Sequence, residues 1–184
     1  MAVWIIIVIV VLIAIVFVVQ YNGLVRLRNR IDAAWSQIEV QLERRHDLIP
    51  NLIETVKGYA AHERQTLEGV VQARNAAIQA KSAGPEQQAQ AENMLTGALR
   101  QLFALSEAYP DLKANQNFLS LQEELTSTED RIAYARQFYN DSVNKYDNKI
   151  ESIPSNIIAG MFGFKGREYF KAEEGATEVP RVQF

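Results

Sequence analysis

The sequence predicts an all-α protein, with an N-terminal single transmembrane helix followed by an antiparallel, long-helix four-helix bundle. Three observations carry that expectation. Ala2 to Val19 is an unbroken apolar run. Beyond it, apolar residues recur at spacings of three and four, the mark of amphipathic helices, and nowhere alternate with the period of a strand. Pro and Gly punctuate the long periodic stretches at a few points that read as turns.

Composition narrows the function classes. The 184 residues are 48% hydrophobic, yet the mean hydropathy is -0.14, because the apolar residues crowd the first nineteen positions. That length suits one modest domain. A net charge of -3 runs against a nucleic-acid partner, which calls for a basic face or stripe. Cysteine is absent, which removes disulfides, thiolate metal sites and a cysteine nucleophile together. His46 and His62 are the two histidines.

As a helix, Ala2 to Val19 rises about 27 Å, close to the ~30 Å hydrocarbon core. Val and Ile dominate it; in lipid a lone strand leaves its backbone unsatisfied, so the helix wins. Trp4 and Tyr21 stand near its two ends, where amphipathic rings favour the interface. The start lacks the cationic region of a signal peptide, and no small-x-small cleavage site precedes Gln20, so an uncleaved anchor is expected. Arg26, Arg28 and Arg30 follow the run, while no Lys or Arg precedes it. The positive-inside rule then leaves the N-terminus outside and the main body in the cytoplasm.

The first cytoplasmic helix is expected from Leu24, with Leu24, Leu27, Ile31, Trp35, Ile38 and Leu42 on one stripe. Pro50 interrupts it, and a hairpin between His46 and Pro50 is the simple reading, with a kinked continuous helix as the alternative. A second stripe, Ile53, Val56, Ala60, Leu67, Val70, Val71 and Ile78, runs to about Lys81, where Ser82-Ala83-Gly84-Pro85 reads as a stop and restart. The third helix covers about Glu86 to Ala108, with Met94, Leu95, Ala98, Leu99, Leu102 and Leu105 inward. Tyr109-Pro110-Asp111 breaks it. The fourth, about Ala114 to Ser152, carries Phe118, Leu121, Leu125, Ile132, Ala135, Tyr139, Val143, Tyr146 and Ile150. The organisation is thus an anchor over 1–21, a bundle over 22–153, an apolar juxtamembrane or docking segment over 154–170, and a disordered tail over 171–184.

Catalytic and metal chemistry find little support. A di-metal bundle site needs two Glu-x-x-His motifs, and only Glu43 with His46 provides one. His62-Glu63 lacks the second histidine of a zinc motif, since Thr66 occupies that place. No nucleophile elbow and no phosphate-binding glycine loop is present. Neither a catalytic residue, a cofactor nor a metal is therefore expected. Arg44 and Arg45 read as cations complementing a helix C-terminal dipole, with contact to a partner or to anionic lipid as the alternative. Trp35, Tyr139 and Tyr146 read as core aromatics.

Particular residues add a resemblance. Tyr21-Asn22, Ala34-Trp35-Ser36, Val40-Gln41-Leu42, Arg44-Arg45 with Asp47-Leu48-Ile49-Pro50-Asn51-Leu52, and Val56-Lys57-Gly58-Tyr59-Ala60 with His62-Glu63 occur in order. Tyr109-Pro110-Asp111-Leu112-Lys113-Ala114, Thr128-Glu129 with Arg131-Ile132, Tyr139-Asn140, Gly163-Phe164 and Tyr169-Phe170 follow. From Tyr21 to Phe170 the chain resembles the LemA family. The resemblance implies a bacterial membrane-anchored helical bundle and no reaction. One departure is Tyr146-Asp147-Asn148, where the family pattern has Tyr-Asn.

The functional expectation is a non-catalytic scaffold or interaction protein, acting by self-assembly or partner binding. A membrane sensor or accessory subunit regulating a partner enzyme is the alternative, and a bundle enzyme with a metal site ranks last. The expected partners are the lipid bilayer, further copies of the chain and a protein the sequence does not name. Self-assembly is expected because the second and fourth helices outrun the others and would leave apolar stripes uncovered. The juxtamembrane segment presents Ile157, Ile158, Met161, Phe162 and Phe164 with Lys165 and Arg167 after them, a pattern suited to an anionic membrane surface or a neighbouring subunit.

Overall fold

The computed structural model describes residues Met1–Lys171, and every regular element among them is helical. Helix α1 runs without interruption over Ala2–Lys57, 56 residues and about 84 Å long. A tight turn leads to α2 (Arg64–Gln79), which a single 3-10 turn (Ala80–Ser82) extends. Next come α3 (Pro85–Ser106), the one-turn α4 (Pro110–Lys113), the long α5 (Gln116–Glu151) and α6 (Ser155–Phe162). The expected tail over 171–184 lies outside the described residues save for Lys171.

The chain divides into two compact units. One holds Met1–Ile38 and Ala135–Arg167; the other holds Glu39–Tyr134 and, among the described residues, 168–171. Helices α1 and α5 each contribute to both. In the first unit, Leu24 is buried with Ile158 and Ala159 of α6, flanked by Phe17, Tyr21, Ile150 and Phe164. Farther along the helices, Trp35 meets Tyr139 with ring centroids 5.3 Å apart. In the second unit, Ile49, Leu52 and Val56 of α1 share a core with Leu67, Val70 and Ala77 of α2, Leu95, Leu99 and Leu102 of α3, and Phe118 and Leu125 of α5.

The Pro50 hairpin is not formed. Pro50 sits inside α1, and the reversal comes later, at Gly58–Glu63. There the Tyr59 and Ala60 amides both donate to the Val56 carbonyl, and the Glu63 amide donates to that of Ala60. A proline inside a helix removes one hydrogen bond and strains the preceding turn. The missing bond here is replaced: the His46 carbonyl, which the residue-50 amide would have served, accepts from Arg74 Nε at 2.7 Å. With the helix running on to Lys57, Arg44 and Arg45 stand in its interior, so their expected role at a helix C-terminus is overturned.

Three stripe positions also correct. Val71, Ile78 and Met94 are exposed. The buried residues of α3 are Gln88, Ala89, Glu92, Leu95, Leu99, Leu102 and Ser106, so polar side chains hold two of its first three core places. In α2 the row Leu67, Val70 and Ala77 passes through the half-buried Arg74. Glu92 turns inward to pair with the buried Arg45, and Arg74 to reach the His46 carbonyl. The long-helix stripes are likewise covered: Phe118, Leu125, Ile132, Ala135, Tyr139, Val143 and Tyr146 are all buried within one chain. Uncovered stripes therefore give no reason for self-assembly.

Candidate functional site

Two polar features stand out, one in each unit. In the second unit, Arg45 is 1% exposed and its guanidinium is the hub of a network. Nη2 pairs with Glu92, itself 3% exposed. Nη1 pairs with Glu129 at 2.6 Å and donates to the Thr96 hydroxyl at 2.9 Å. His46, one residue on, brings Nε2 to 3.0 Å from the Glu92 carboxylate. Burial by itself would raise the Glu92 carboxyl, but the His46 hydrogen bond and the Arg45 charge outweigh it and hold the group below its ordinary range. An ion pair this deep is costly to desolvate, so its role lies in specifying which helix faces meet, more than in net stability.

Arg45 is thus a core residue and not a surface for lipid or partner. Arg44 is exposed, with Glu124 at 3.8 Å. The Glu43–His46 pair is not assembled into a ligand set, because His46 is turned to Glu92; among the described residues no group of three metal-ligating side chains converges.

The second feature lies where the apolar run ends. Ala2–Val19 is exposed throughout except at Phe17, and its helix is long and apolar enough to cross a membrane. Trp4 and Val19 are both exposed in that stretch, and Tyr21 is half-buried. Helix α6 packs on the end of the run: the Phe162 ring lies 5.8 Å from Phe17 and 4.8 Å from Tyr21, and Phe164 lies 5.9 Å from Tyr21. Gly163 closes α6 at φ 69°, a left-handed conformation that glycine adopts without cost. The following Phe164 amide donates back to the Ala159 carbonyl at 3.0 Å.

That closure turns Phe164 under Arg28, whose guanidinium carbon is 5.5 Å from the ring centroid. Arg30 makes the corresponding contact with Phe138 at 4.8 Å. Arg28, Tyr146, Gly163, Phe164, Lys165 and Arg167 line a cavity of about 260 Å³. Arg167 is held from two sides: its guanidinium is 3.3 Å from Asp32, and its amide donates to Asp147 at 3.3 Å. Burial pushes the Tyr146 hydroxyl up, against the opposing pull of Arg167 and Arg28, so it stays a neutral donor. The arrangement suits anion recognition. It contains no nucleophile paired with a base, which acyl or phosphoryl chemistry would need.

Of the expected site residues, the structure brings Tyr21, Arg28, Phe162 and Phe164 together and leaves Met161 exposed beside them. Arg26 is exposed and stands apart from this group. Sequence reasoning missed Glu92, Glu129 and Thr96 as partners of Arg45. The only signal available was a carboxylate on the α3 stripe at Glu92, where an apolar residue would fit the period.

Fold and site together define a class of helical protein in which a membrane-length apolar helix continues directly into a helical body. The chain belongs to the LemA family, whose family model matches residues 34–184. Among curated relatives it is similar to magnetosome protein MamQ 2 of Paramagnetospirillum magneticum strain AMB-1, 28% identical over 89% of this chain and 68% of that protein. Magnetosome protein MamQ of Magnetospirillum gryphiswaldense is 27% identical over the same shares. Protein LemA of Metamycoplasma hominis is 29% identical over 86% of this chain and 72% of its own length.

Proposed function

We propose that the protein is a membrane-anchored, non-catalytic scaffold that works by self-assembly or by binding a partner protein at a bacterial inner membrane. The observation that carries this reading is the continuity of α1. One helix is lipid-compatible over Ala2–Val19 and supplies buried core residues from Leu24 to Val56, so the anchor leads into the body with no intervening linker. The remaining helices pack as an antiparallel bundle, with the reversals at 58–63, 83–84 and 107–115. Membership of the LemA family supports a role without a reaction.

Arg26, Arg28 and Arg30 orient the anchor with the body in the cytoplasm. Confinement to a membrane raises the local concentration of copies, so modest exposed surfaces such as those around Val40, Met94 and Tyr134 suffice for self-association. Sedimentation analysis of the full chain in mild detergent and in nanodiscs tests the assembly: a species larger than one chain is expected, and a strict monomer in both overturns self-assembly. Crosslinking in native membranes followed by mass spectrometry reads the partner-binding arm. Protease added to spheroplasts should spare the body, and its digestion from outside would reverse the orientation.

A further inference from the structure

The juxtamembrane cluster has more structure than an anchor requires. Ile158 and Ala159 of α6 are buried against α1, while the opposite side presents Ile157 at 62% and Met161 at 69% exposure. Phe162 of the same helix packs on Phe17 and Tyr21, which puts α6 at the end of the hydrocarbon-length run. Past α6 the chain turns at Gly163, and three cations follow around one cavity: Arg28, Lys165 and Arg167. Arg167 is paired with Asp32. Arg28 and Lys165 have no carboxylate partner among the described residues, and both are exposed. Arg28 lies seven residues beyond Tyr21, about 10 Å along the axis, and helical side chains incline back toward the N-terminus. That places its guanidinium toward the phosphate layer of the leaflet in which Tyr21 sits.

We propose that this cavity is a binding site for the phosphate of an anionic phospholipid. Arg28 and Lys165 supply the charge, the Tyr146 hydroxyl donates a hydrogen bond, and Ile157, Met161 and Phe162 of α6 lie against the acyl chains. The apolar face and the basic cavity stand on the two sides of a single turn, as a lipid with tails and a charged headgroup requires. Asp32 and Asp147 hold Arg167 in place and leave the other two cations free for the ligand. The site rests on the membrane-anchored reading above and adds a ligand to it.

The test uses the full chain in detergent micelles, titrated with phosphatidylglycerol, phosphatidylcholine or inorganic phosphate, with bound lipid read by native mass spectrometry. Phosphatidylglycerol is expected to be retained at about 25-fold lower concentration than phosphatidylcholine, since each of the two surface cations contributes on the order of a fivefold preference for anionic lipid. R28Q/K165Q should abolish that preference. M161S/F162S should weaken retention of both lipids. Both double variants change exposed side chains, and unchanged helical circular dichroism confirms that they fold.

Equal retention of the two lipids by the wild-type chain overturns the proposal, and so does an undiminished preference in R28Q/K165Q. Inorganic phosphate that displaces phosphatidylglycerol at matched concentration shows a simple anion site and overturns the lipid assignment. Failure of the anchor itself reads differently: the chain would not enter nanodiscs or sediment with membranes at all, whatever their headgroup.

Discussion

The Nε–H of Arg74 reaches the main-chain carbonyl of His46 at 2.7 Å, the acceptor that Pro50, four residues on, leaves without its helical donor. One side chain from α2 thereby completes the backbone of α1. This relationship explains how a proline can lie inside a 56-residue helix, and why the hairpin falls at Gly58 instead.

Arg74→Ala should therefore destabilise the body by about 1–3 kcal/mol, the cost of a buried acceptor left unserved. In a Pro50→Ala background, where the amide is restored, the same change should cost much less. Thermal unfolding in detergent across the four variants gives the coupling directly. Equal costs in both backgrounds would show that Arg74 acts through packing alone.

The Arg45–Glu92 pair predicts a second non-additive result. Arg45→Ala strands a buried carboxylate, at about 3–5 kcal/mol, whereas replacing Arg45 and Glu92 together by methionine should cost far less, because no deeply buried carboxylate is left unpaired and Glu129 reaches solvent. Denaturation midpoints of the single and double variants compare the two. A double variant as unstable as R45A would mean that the pair contributes true net attraction.

Acid should expose the same pair. The Glu92 carboxyl is held below its ordinary value of 4.5 in the folded chain, so the stability it contributes is fully present above that value and is lost as the pH falls through the lower, folded value. Protonation there removes the partner of Arg45. The unfolding midpoint of the wild-type chain should fall in this acid window, and Glu92→Gln, already less stable at neutral pH, should show a shallower fall. Parallel curves for the two would assign the acid sensitivity to other carboxylates.

Two glycines of α6 should behave oppositely. Gly160 is helical with open space where a Cβ would stand, so Gly160→Ala should be neutral or stabilising by up to about 1 kcal/mol. Gly163 has φ 69°, and Gly163→Ala should cost about 1–2 kcal/mol despite equal space around it. Hydrogen exchange of the 155–164 amides measures both, with faster exchange expected only for the second.

Much of the fold was legible because helical period and membrane length are local properties. The apolar run, the stripe from Leu24 to Leu42, and the helices near 86–108 and 114–152 follow from side-chain spacing, and their boundaries differ from the structure by a few residues. The break at Gly58 was less visible, since Pro50 offered a stronger local signal. At the cluster near α6, the aromatic and basic residues were readable as membrane-facing types, but not their convergence on Tyr21 and Arg28, which depends on where α5 returns the chain.

By itself, then, the sequence determined that this is a helical protein with one membrane-length segment, because hydrophobic burial acts residue by residue at a fixed period. Tertiary structure decided what Pro50, Arg45, Glu92 and Arg74 do. A proline inside a helix, or a charge inside a core, is tolerated only when a group from another helix completes its hydrogen bonds or balances its charge. Those partners lie 28 to 84 positions apart along the chain, beyond the reach of any local pattern.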